Sequence, residues 1–376
     1  MSNAEPIRSP ADARFMALAF ALGRRGLGRT WPNPAVGAVI VRDDGAGPVV
    51  VGRGWTKPGG RPHAETQALA RAGTAARGAT LYVTLEPCSH HGKTPPCADA
   101  VIAAGVARVV SAMVDPNPEV AGAGHWRMAE QGIVVEVGIG ADEAQRAHAG
   151  HIRRVRDGRP HVILKLAVSA DGKAGLAGRR PAPITGEAAR ARVHLMRATS
   201  DAVLTGIGTV LADDPLLTCR LPGMTDRSPV RVVLDGKLRL PLASKLVATA
   251  RETPLWVVTG EGAPLEPELA LKTQHLDVLR VPSRNGKLDL AATLELLAGR
   301  GITRLMVEAG PILATEFIWA DLVDEAVLFR SPTPIGPEGI DAVEKLSFSA
   351  LAQLAGLKAV GSEQIGIDMV ENFERV

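Results

Sequence analysis

Two short segments, PHAE at 62–65 and EPCSHHGKTPPC at 86–97, hold His63, Cys88 and Cys97, three side chains of the kind that bind zinc. If they act together, strand and helix ends more than twenty residues apart in the chain must meet at one point. That requirement limits the possible folds more than any other feature. A zinc site with three protein ligands leaves its fourth position to water, whose pKa falls from about 15.7 to roughly 7 on the metal. The count of ligands here is that of a catalytic site.

Glu65 follows His63 by two positions, placing a carboxylate beside that water. In zinc deaminases the Glu of H-x-E moves the proton from the water to the departing amine without binding the metal. The pattern therefore implies hydrolytic removal of an amino group from a nitrogen heterocycle. Pro62 followed by AETQALARA predicts a helix start, and ATLYVTLEPC predicts a strand ending at Pro87 and Cys88. ADAVIAAGV behind Pro95 and Pro96 predicts a second helix, so His63 and Cys97 each fall near a helix N-terminus. The positive end of a helix favours a thiolate, and Cys97 is expected to be biased toward the metal-binding form. A closed structural zinc would need a fourth ligand, for which His90 and His91 are the nearest candidates; that alternative stays open here.

Nucleobase deaminases use P-C-x-x-C, whereas eight residues, SHHGKTPP, separate Cys88 from Cys97. The insertion carries His90 and Lys93, suited to a polar or phosphorylated substrate. With this spacing the chain resembles the bifunctional deaminase–reductase family of riboflavin biosynthesis, from about residue 10 to about residue 370. TWPNPAVGAVIV at 30–41 resembles the family's first strand motif, and the resemblance implies that Asn33 helps hold the pyrimidine. The family pattern places a His seven residues before the zinc His, where this chain has Thr56.

The chain has 376 residues, 46% of them hydrophobic, which is too long for one ordinary core and suits two domains. Strands alternate with helices up to VVEVGIG and the charged segment ADEAQRAHAGHIRRV, read as one helix. Beyond the connector a new strand, PHVILKLAVS, turns at Asp171-Gly172 and opens a second alternating unit. The expected domains are 1–152 and 153–376. The GxG that opens GIGTVL at 206–211 lacks the rest of the G-x-G-x-x-G fingerprint, which argues against a Rossmann domain.

The resemblance implies a cytidine-deaminase-like α/β/α sandwich followed by a dihydrofolate-reductase-like α/β domain using NADPH, with Zn2+ as the cofactor of the first. Matched residue by residue, it implies cofactor contacts at Ala167, Thr209 and Asp213 and along the turn and helix start from Gly310 to Glu316, including Pro311 and Ile312. It implies substrate contacts at Lys165, Arg197, Leu217, Arg220 and Glu308. Two arginines suit a bidentate clamp on a ribose phosphate, Lys165 suits polarisation of the sugar, and an AGP turn opening a helix offers N–H groups to a phosphate. Where the family commonly has a Trp before I-T, this chain has Pro183.

Only three cysteines are present, two of them assigned to zinc, so a reducing cytosol is the expected compartment. No apolar run approaches the roughly 18 residues of a membrane span, and no signal peptide is expected. A net charge of +3 with interleaved acids and bases and an aromatic share of 3% gives nucleic-acid binding no support. The expected partner is a small phosphoribosylaminopyrimidine, with no nucleic acid and no membrane, and the resemblance implies a homo-oligomer. Three other readings remain open at this point. One is a deaminase with a silent reductase half. Another is a tRNA or nucleoside deaminase with an appended domain, against which the cysteine spacing speaks. The last is a zinc-stabilised binding module without activity.

Overall fold

The computed structural model describes residues 10–92, 95–176, 184–343 and 356–375. The chain divides into two compact units, Met1–Gly158 and Arg159–Val376. The division lies six residues beyond the 152/153 boundary expected from the sequence, because a helix runs on through Asp157 and stops at Gly158, which takes a left-handed φ of 68°.

The first unit contains helices α1 (Pro10–Gly23), α2 (Ala64–Ala72), α3 (Cys97–Ala103), α4 (Ala123–Glu130), α5 (Ala141–Ala147) and α6 (Ala149–Asp157). Its strands are β1 (Gly37–Asp43), β2 (Pro48–Trp55), β3 (Thr80–Val83), β4 (Arg108–Ser111) and β5 (Val134–Val137), in the order β2-β1-β3-β4-β5. β1 is antiparallel to both its neighbours, whereas β3, β4 and β5 run parallel. The β1 run Gly37–Val41 is apolar without alternation and buried throughout, as a strand covered on both faces must be. The segment read as one charged helix is two, α5 and α6, broken at His148. That residue is buried and its Nε2 bonds the Thr84 carbonyl oxygen at 3.1 Å, so a tertiary contact overrides the helical pattern.

Glycines decide how the helices lie on this sheet. A Cβ at Gly37 would stand 1.9 Å from the Ala19 carbonyl oxygen of α1, and one at Gly54 would stand 2.1 Å from the Ala64 carbonyl oxygen of α2. Gly54 pairs with Ala38, the neighbour of Gly37 on β1, so the two helices occupy opposite faces of the sheet. This is an α/β/α sandwich, and the bare backbone of β2 sets the seat of α2.

In the second unit, strands and helices alternate: β6 (His161–Val168), β7 (Lys173–Gly175), α7 (Glu187–Ala198), β8 (Ala202–Gly206), α8 (Ile207–Asp213), β9 (Val230–Leu234), α9 (Lys245–Ala248), β10 (Leu255–Gly260), α10 (Leu265–Lys272) and β11 (Asp277–Val281). A short hairpin of β12 (Ser283–Arg284) and β13 (Lys287–Leu288) follows, then α11 (Leu290–Gly299), β14 (Arg304–Glu308), α12 (Pro311–Trp319), β15 (Glu325–Arg330), β16 (Ile340–Asp341), β17 (Leu357–Ile365) and β18 (Asp368–Arg375). Nine strands form one sheet in the order β11-β10-β9-β8-β14-β6-β15-β18-β17. The strands from β11 to β15 are parallel, so their C-terminal ends share one edge; β18 is antiparallel to β15 and to β17. Ligands of open parallel sheets bind outside that edge. Among the described residues no helix is long and apolar enough to cross a membrane.

Replacing Gly54 by Ala should push α2 off β2 at a cost of about 1–3 kcal/mol. The melting temperature and the zinc retained after dialysis should both fall. An unchanged melting temperature with full zinc content would mean that the seat of α2 tolerates a side chain.

Candidate active sites

In the first unit His63 is the N-cap of α2, with extended dihedrals, and Cys97 is the first residue of α3. Cys88 lies beyond the C-terminal end of β3. The three ligand atoms lie within 4.8 Å of one another, with His63 Nδ1 3.3 Å from Cys97 Sγ and 3.7 Å from Cys88 Sγ. Tetrahedral zinc with bonds of about 2.05 Å to nitrogen and about 2.3 Å to sulfur separates those atoms by roughly 3.6 Å. The residues therefore fit the ion. Among the described residues no fourth ligating side chain joins the group, and His90 and His91 are exposed. This is the open arrangement, not the closed structural one.

Without metal, the protons are distributed differently from the expectation for Cys97. Hydrogen bonding to Cys97 lowers Cys88 to about 4, burial opposing it, while the bond to Cys88 together with burial drives Cys97 upward. The helix N-terminus does stabilise a thiolate, but the N–H of Cys97 donates to Cys88 Sγ at 3.3 Å, so the benefit goes to Cys88. His63 is raised, chiefly by its bond to Cys88.

Glu65, in the first turn of α2, is 3% exposed. Burial raises it to about 7, with His63 pulling the other way. A carboxyl that titrates near neutrality can both accept and release a proton at working pH.

Asn33 lies on the far side of the His63 ring from the thiols. Its Nδ2 donates to the Gly60 carbonyl oxygen at 2.9 Å and stands 3.4 Å from His63 Nε2. Gly60 takes a φ of 82°, and a Cβ there would meet the Asn33 side chain at 2.8 Å. Thr56, at the family's His position, is buried; its Oγ1 accepts the Val36 N–H at 3.0 Å, so it serves the strand entry and not a ligand. Lys93 lies outside the described residues, as does Pro183.

Sequence reasoning missed Glu86. Its buried carboxylate accepts N–H bonds from Asp115 (3.1 Å), Gly122 (2.9 Å), Gly124 (2.9 Å) and His125 (3.3 Å), tying the segment before α4 to the stretch that carries Cys88. An acid at the end of the apolar run TLYVTLEPC was the available signal.

In the second unit the expected substrate residues gather around one carboxylate. Glu308 ends β14 and pairs in register with Lys165 of β6, whose Nζ lies 3.7 Å from Glu308 Oε1. Arg197, near the end of α7, donates from Nε and Nη2 to both oxygens of Glu308 at 2.9 and 2.8 Å, and from Nη1 to the Thr218 carbonyl oxygen at 3.1 Å. The fork of Arg197 is engaged by Glu308. Arg220 is the exposed cation of the cluster, reaching Thr218 Oγ1 at 3.4 Å. Burial raises Glu308, but Lys165 and Arg197 outweigh it and hold the carboxyl at about 2. Burial lowers Lys165 and also, with Arg197 beside it, Arg220. Leu217 takes a φ of 54° and buries its side chain in the core, leaving only its backbone for a ligand.

Beside this cluster lies a cavity of about 470 Å³ at the C-terminal edge of the sheet. Thr209, Asp213, Gly310, Pro311 and Ile312 line it; Ala167 does not. Gly206 and Gly310 precede α8 and α12 as their N-caps, so both helices open toward the cavity with free N–H groups, and Arg239 and Lys287 add cations. Glycine-lined helix starts with nearby cations suit a dinucleotide's phosphates. Gly236 and Arg239 were not found from the sequence because a loop after β9 carries no periodic signal.

A zinc-type deaminase unit joined to a cavity-bearing α/β unit with a charged cluster at its sheet edge is the architecture of a two-domain deaminase–reductase. Residues 9–113 match the cytidine and deoxycytidylate deaminase zinc-binding region, and residues 160–370 match the RibD C-terminal domain. The chain is 40% identical to the riboflavin biosynthesis protein RibD of Escherichia coli (strain K12), over 94% of this chain and 97% of that protein. Among solved structures, Acinetobacter baumannii RibD is 37% identical with a TM-score of 0.85, covering 97% of this chain and 99% of its own. A Thermotoga maritima protein described as a diaminohydroxyphosphoribosylaminopyrimidine deaminase/5-amino-6-(5-phosphoribosylamino)uracil reductase is 36% identical with a TM-score of 0.83 and the same coverage. The chain belongs to the RibD family of riboflavin biosynthesis proteins.

Glu308→Gln would leave Arg197 and Lys165 facing a neutral amide, which should cost about 3–5 kcal/mol of stability at pH 7. The folded value of Glu308, about 2, lies below its ordinary 4.5. Its stabilisation is therefore complete above pH 4.5 and is lost as pH falls toward 2. Urea midpoints of the variant should lack that loss; parallel decline of both proteins would show that Glu308 is not the counter-charge.

Proposed function

We infer that the chain catalyses two steps of riboflavin biosynthesis: hydrolytic deamination of 2,5-diamino-6-(5-phosphoribosylamino)pyrimidin-4-one, then NADPH-dependent reduction of the ribosyl group to the ribityl chain. The observation that carries this reading is the open His63, Cys88, Cys97 group with buried Glu65 beside it, in a chain whose second unit holds the Lys165, Arg197, Glu308 cluster next to a dinucleotide-sized cavity.

His63 Nδ1 and the two sulfurs would hold zinc, which would supply the Lewis acidity that makes a water deprotonable near neutral pH. Glu65 would take a proton from the attacking water and hand it to the departing amine, so that water enters, ammonia leaves and the ring carbon gains a carbonyl. Asn33, held by its Nδ2 bond to the Gly60 carbonyl oxygen, presents its amide to the pyrimidine. His90, exposed on the inserted loop, binds the substrate's polar end. Bound NADPH supplies the hydride. Lys165 holds a proton near the sugar's C1 oxygen, with Glu308 and Arg197 fixing its position, and Arg220 and the Leu217 backbone bind the substrate. Thr209, Asp213 and the Gly310, Pro311, Ile312 turn, which line the cavity, bind the cofactor.

The test is a two-stage assay. Zinc-loaded protein should release ammonia from the diaminopyrimidine, and Glu65→Gln should lower that rate about a hundredfold or more while zinc content stays full. The deaminated product should then drive NADPH oxidation. Ammonia release without oxidation would mean a single-function deaminase, and full ammonia release by the Glu65 variant would remove its role.

A cytoplasmic setting keeps the thiol ligands reduced. The homo-oligomer uses the reductase unit, where β17 leaves one edge of the nine-stranded sheet open among the described residues and exposes most of its length. Light scattering should give at least twice the monomer mass; a monomer at micromolar concentration would exclude this.

A further inference from the structure

We propose that Arg61 binds the phosphate of the deaminase substrate and makes the first unit prefer a phosphorylated pyrimidine to a dephosphorylated one, with His90 completing the anion site; the proposal rests on the deaminase reading above. Arg61 is half-buried in the segment between β2 and α2, two residues before His63. The His63 ring, raised chiefly by its bond to Cys88, is lowered in turn by the charge of Arg61. The guanidinium also meets the insertion between the two cysteines. A Cβ built on Gly92 would stand 3.1 Å from Arg61 Nη2 and 3.9 Å from His90 Nε2. The bare backbone of Gly92 thus lets a guanidinium and an imidazole from two separate loops converge on one point beside the metal ligands.

The backbone around Arg61 is pinned. The Gly60 N–H donates to the Lys57 carbonyl oxygen at 2.9 Å and the Lys57 N–H to the Pro62 carbonyl oxygen at 3.2 Å, so residues 57–62 close on themselves. The Gly59 N–H ties them to the Arg29 carbonyl oxygen at 2.8 Å. Arg61 itself is extended, with φ −146° and ψ 149°. On one side of it the Gly60 carbonyl oxygen holds the Asn33 amide, and on the other stands His63. Lys57, the other cation of this segment, is stacked on Trp55 with its Nζ 3.9 Å from the ring centre. A single short run of chain therefore presents the support of the pyrimidine-facing amide, a guanidinium and a metal ligand.

Charge balance gives that guanidinium its role. Two thiolates balance a divalent ion, so a metal on His63, Cys88 and Cys97 leaves the centre without net charge, and the Glu65 carboxyl beside it offers an anion no attraction. A phosphomonoester carries about −1.5 to −2 charges at neutral pH. Its attraction must come from side chains next to the centre, and the planar fork of an arginine matches phosphate oxygens in bidentate fashion. Thr56, at the start of the same segment, is committed to the Val36 N–H and has little to offer a substrate. Arg61 supplies from the far end of the segment the polar contact that position 56 does not.

The test measures KM for ammonia release from 2,5-diamino-6-(5-phosphoribosylamino)pyrimidin-4-one and from its dephosphorylated ribosyl form, on zinc-loaded full-length protein. The wild type should favour the phosphorylated substrate. Arg61→Ala should raise KM for that substrate about tenfold to a hundredfold and change KM for the dephosphorylated form far less, with zinc content and melting temperature retained. Arg61→Lys should recover part of the preference. An equal rise for both substrates would make Arg61 a support of the loop and overturn the proposal, as would a wild type without preference or a preference surviving in Arg61→Ala. Calorimetry with ribose 5-phosphate against ribose reads the same contact without turnover. Phosphate-dependent binding that disappears in Arg61→Ala, in a protein that releases no ammonia, would sustain the anion site and sink the deaminase reading; no such binding and no ammonia would sink both.

Discussion

The deaminase site depends on how closely α2 lies on β2. Gly52 and Gly54 present bare backbone, and the carbonyl oxygens of Ala68 and Ala64 occupy the space where their Cβ atoms would be, at 2.3 and 2.1 Å. This contact fixes the height and direction of the α2 N-terminus. His63 caps that terminus and Glu65 sits in its first turn, so ligand and base move as one body. Cys88 and Cys97 approach from β3 and α3, held by the Cys97 N–H bond to Cys88 Sγ and by the Glu86 carboxylate, which ties down the segment before α4. Three separate elements thereby deliver donors to within a few ångströms of the spacing zinc requires.

The second unit solves a different problem with the same kind of scaffold. Parallel strands bury their middles and leave chemistry to their C-terminal ends, where Lys165 and Glu308 fall opposite each other in register. One carboxylate faces two cations there, and their charges hold Glu308 well below its ordinary value against the effect of burial. Such a cluster resists reorganisation when an anionic substrate arrives, because its side chains are already held in place by one another.

Much of this was legible in the sequence, and the exceptions have physical causes. The zinc ligands, the base, both α/β units and the helix starts at His63 and Cys97 follow from ligand chemistry and local pattern. What the pattern could not show was tertiary. His148 splits a continuous helical periodicity because its ring is drawn to Thr84. Thr56 reads as a lost ligand contact but bonds the backbone of Val36. The fork of Arg197 closes on a glutamate 111 positions away in the chain, a pairing no local pattern signals. The helix start at Cys97 serves Cys88 as well, because the Cys97 N–H donates to Cys88 Sγ.

These exceptions share a cause: each charged group was read alone, while the fold treats such groups as sets. In the first unit the set is incomplete without a cation. A raised Glu65, a raised His63 and a lowered Cys88 describe a carboxyl, an imidazole and sulfurs that share protons among themselves. A divalent ion there would displace the thiol proton and lower the carboxyl, so metal affinity should be strongly coupled to proton release. In the second unit the core set is complete in itself, and further cations lie outside it, Arg220 beside the cluster and Arg239 at the cavity. At its metal centre one unit is electrostatically prepared for a cation, and the other unit is prepared for anions, which is the division of labour that a hydrolytic metal step and a phosphate-bearing redox step each require.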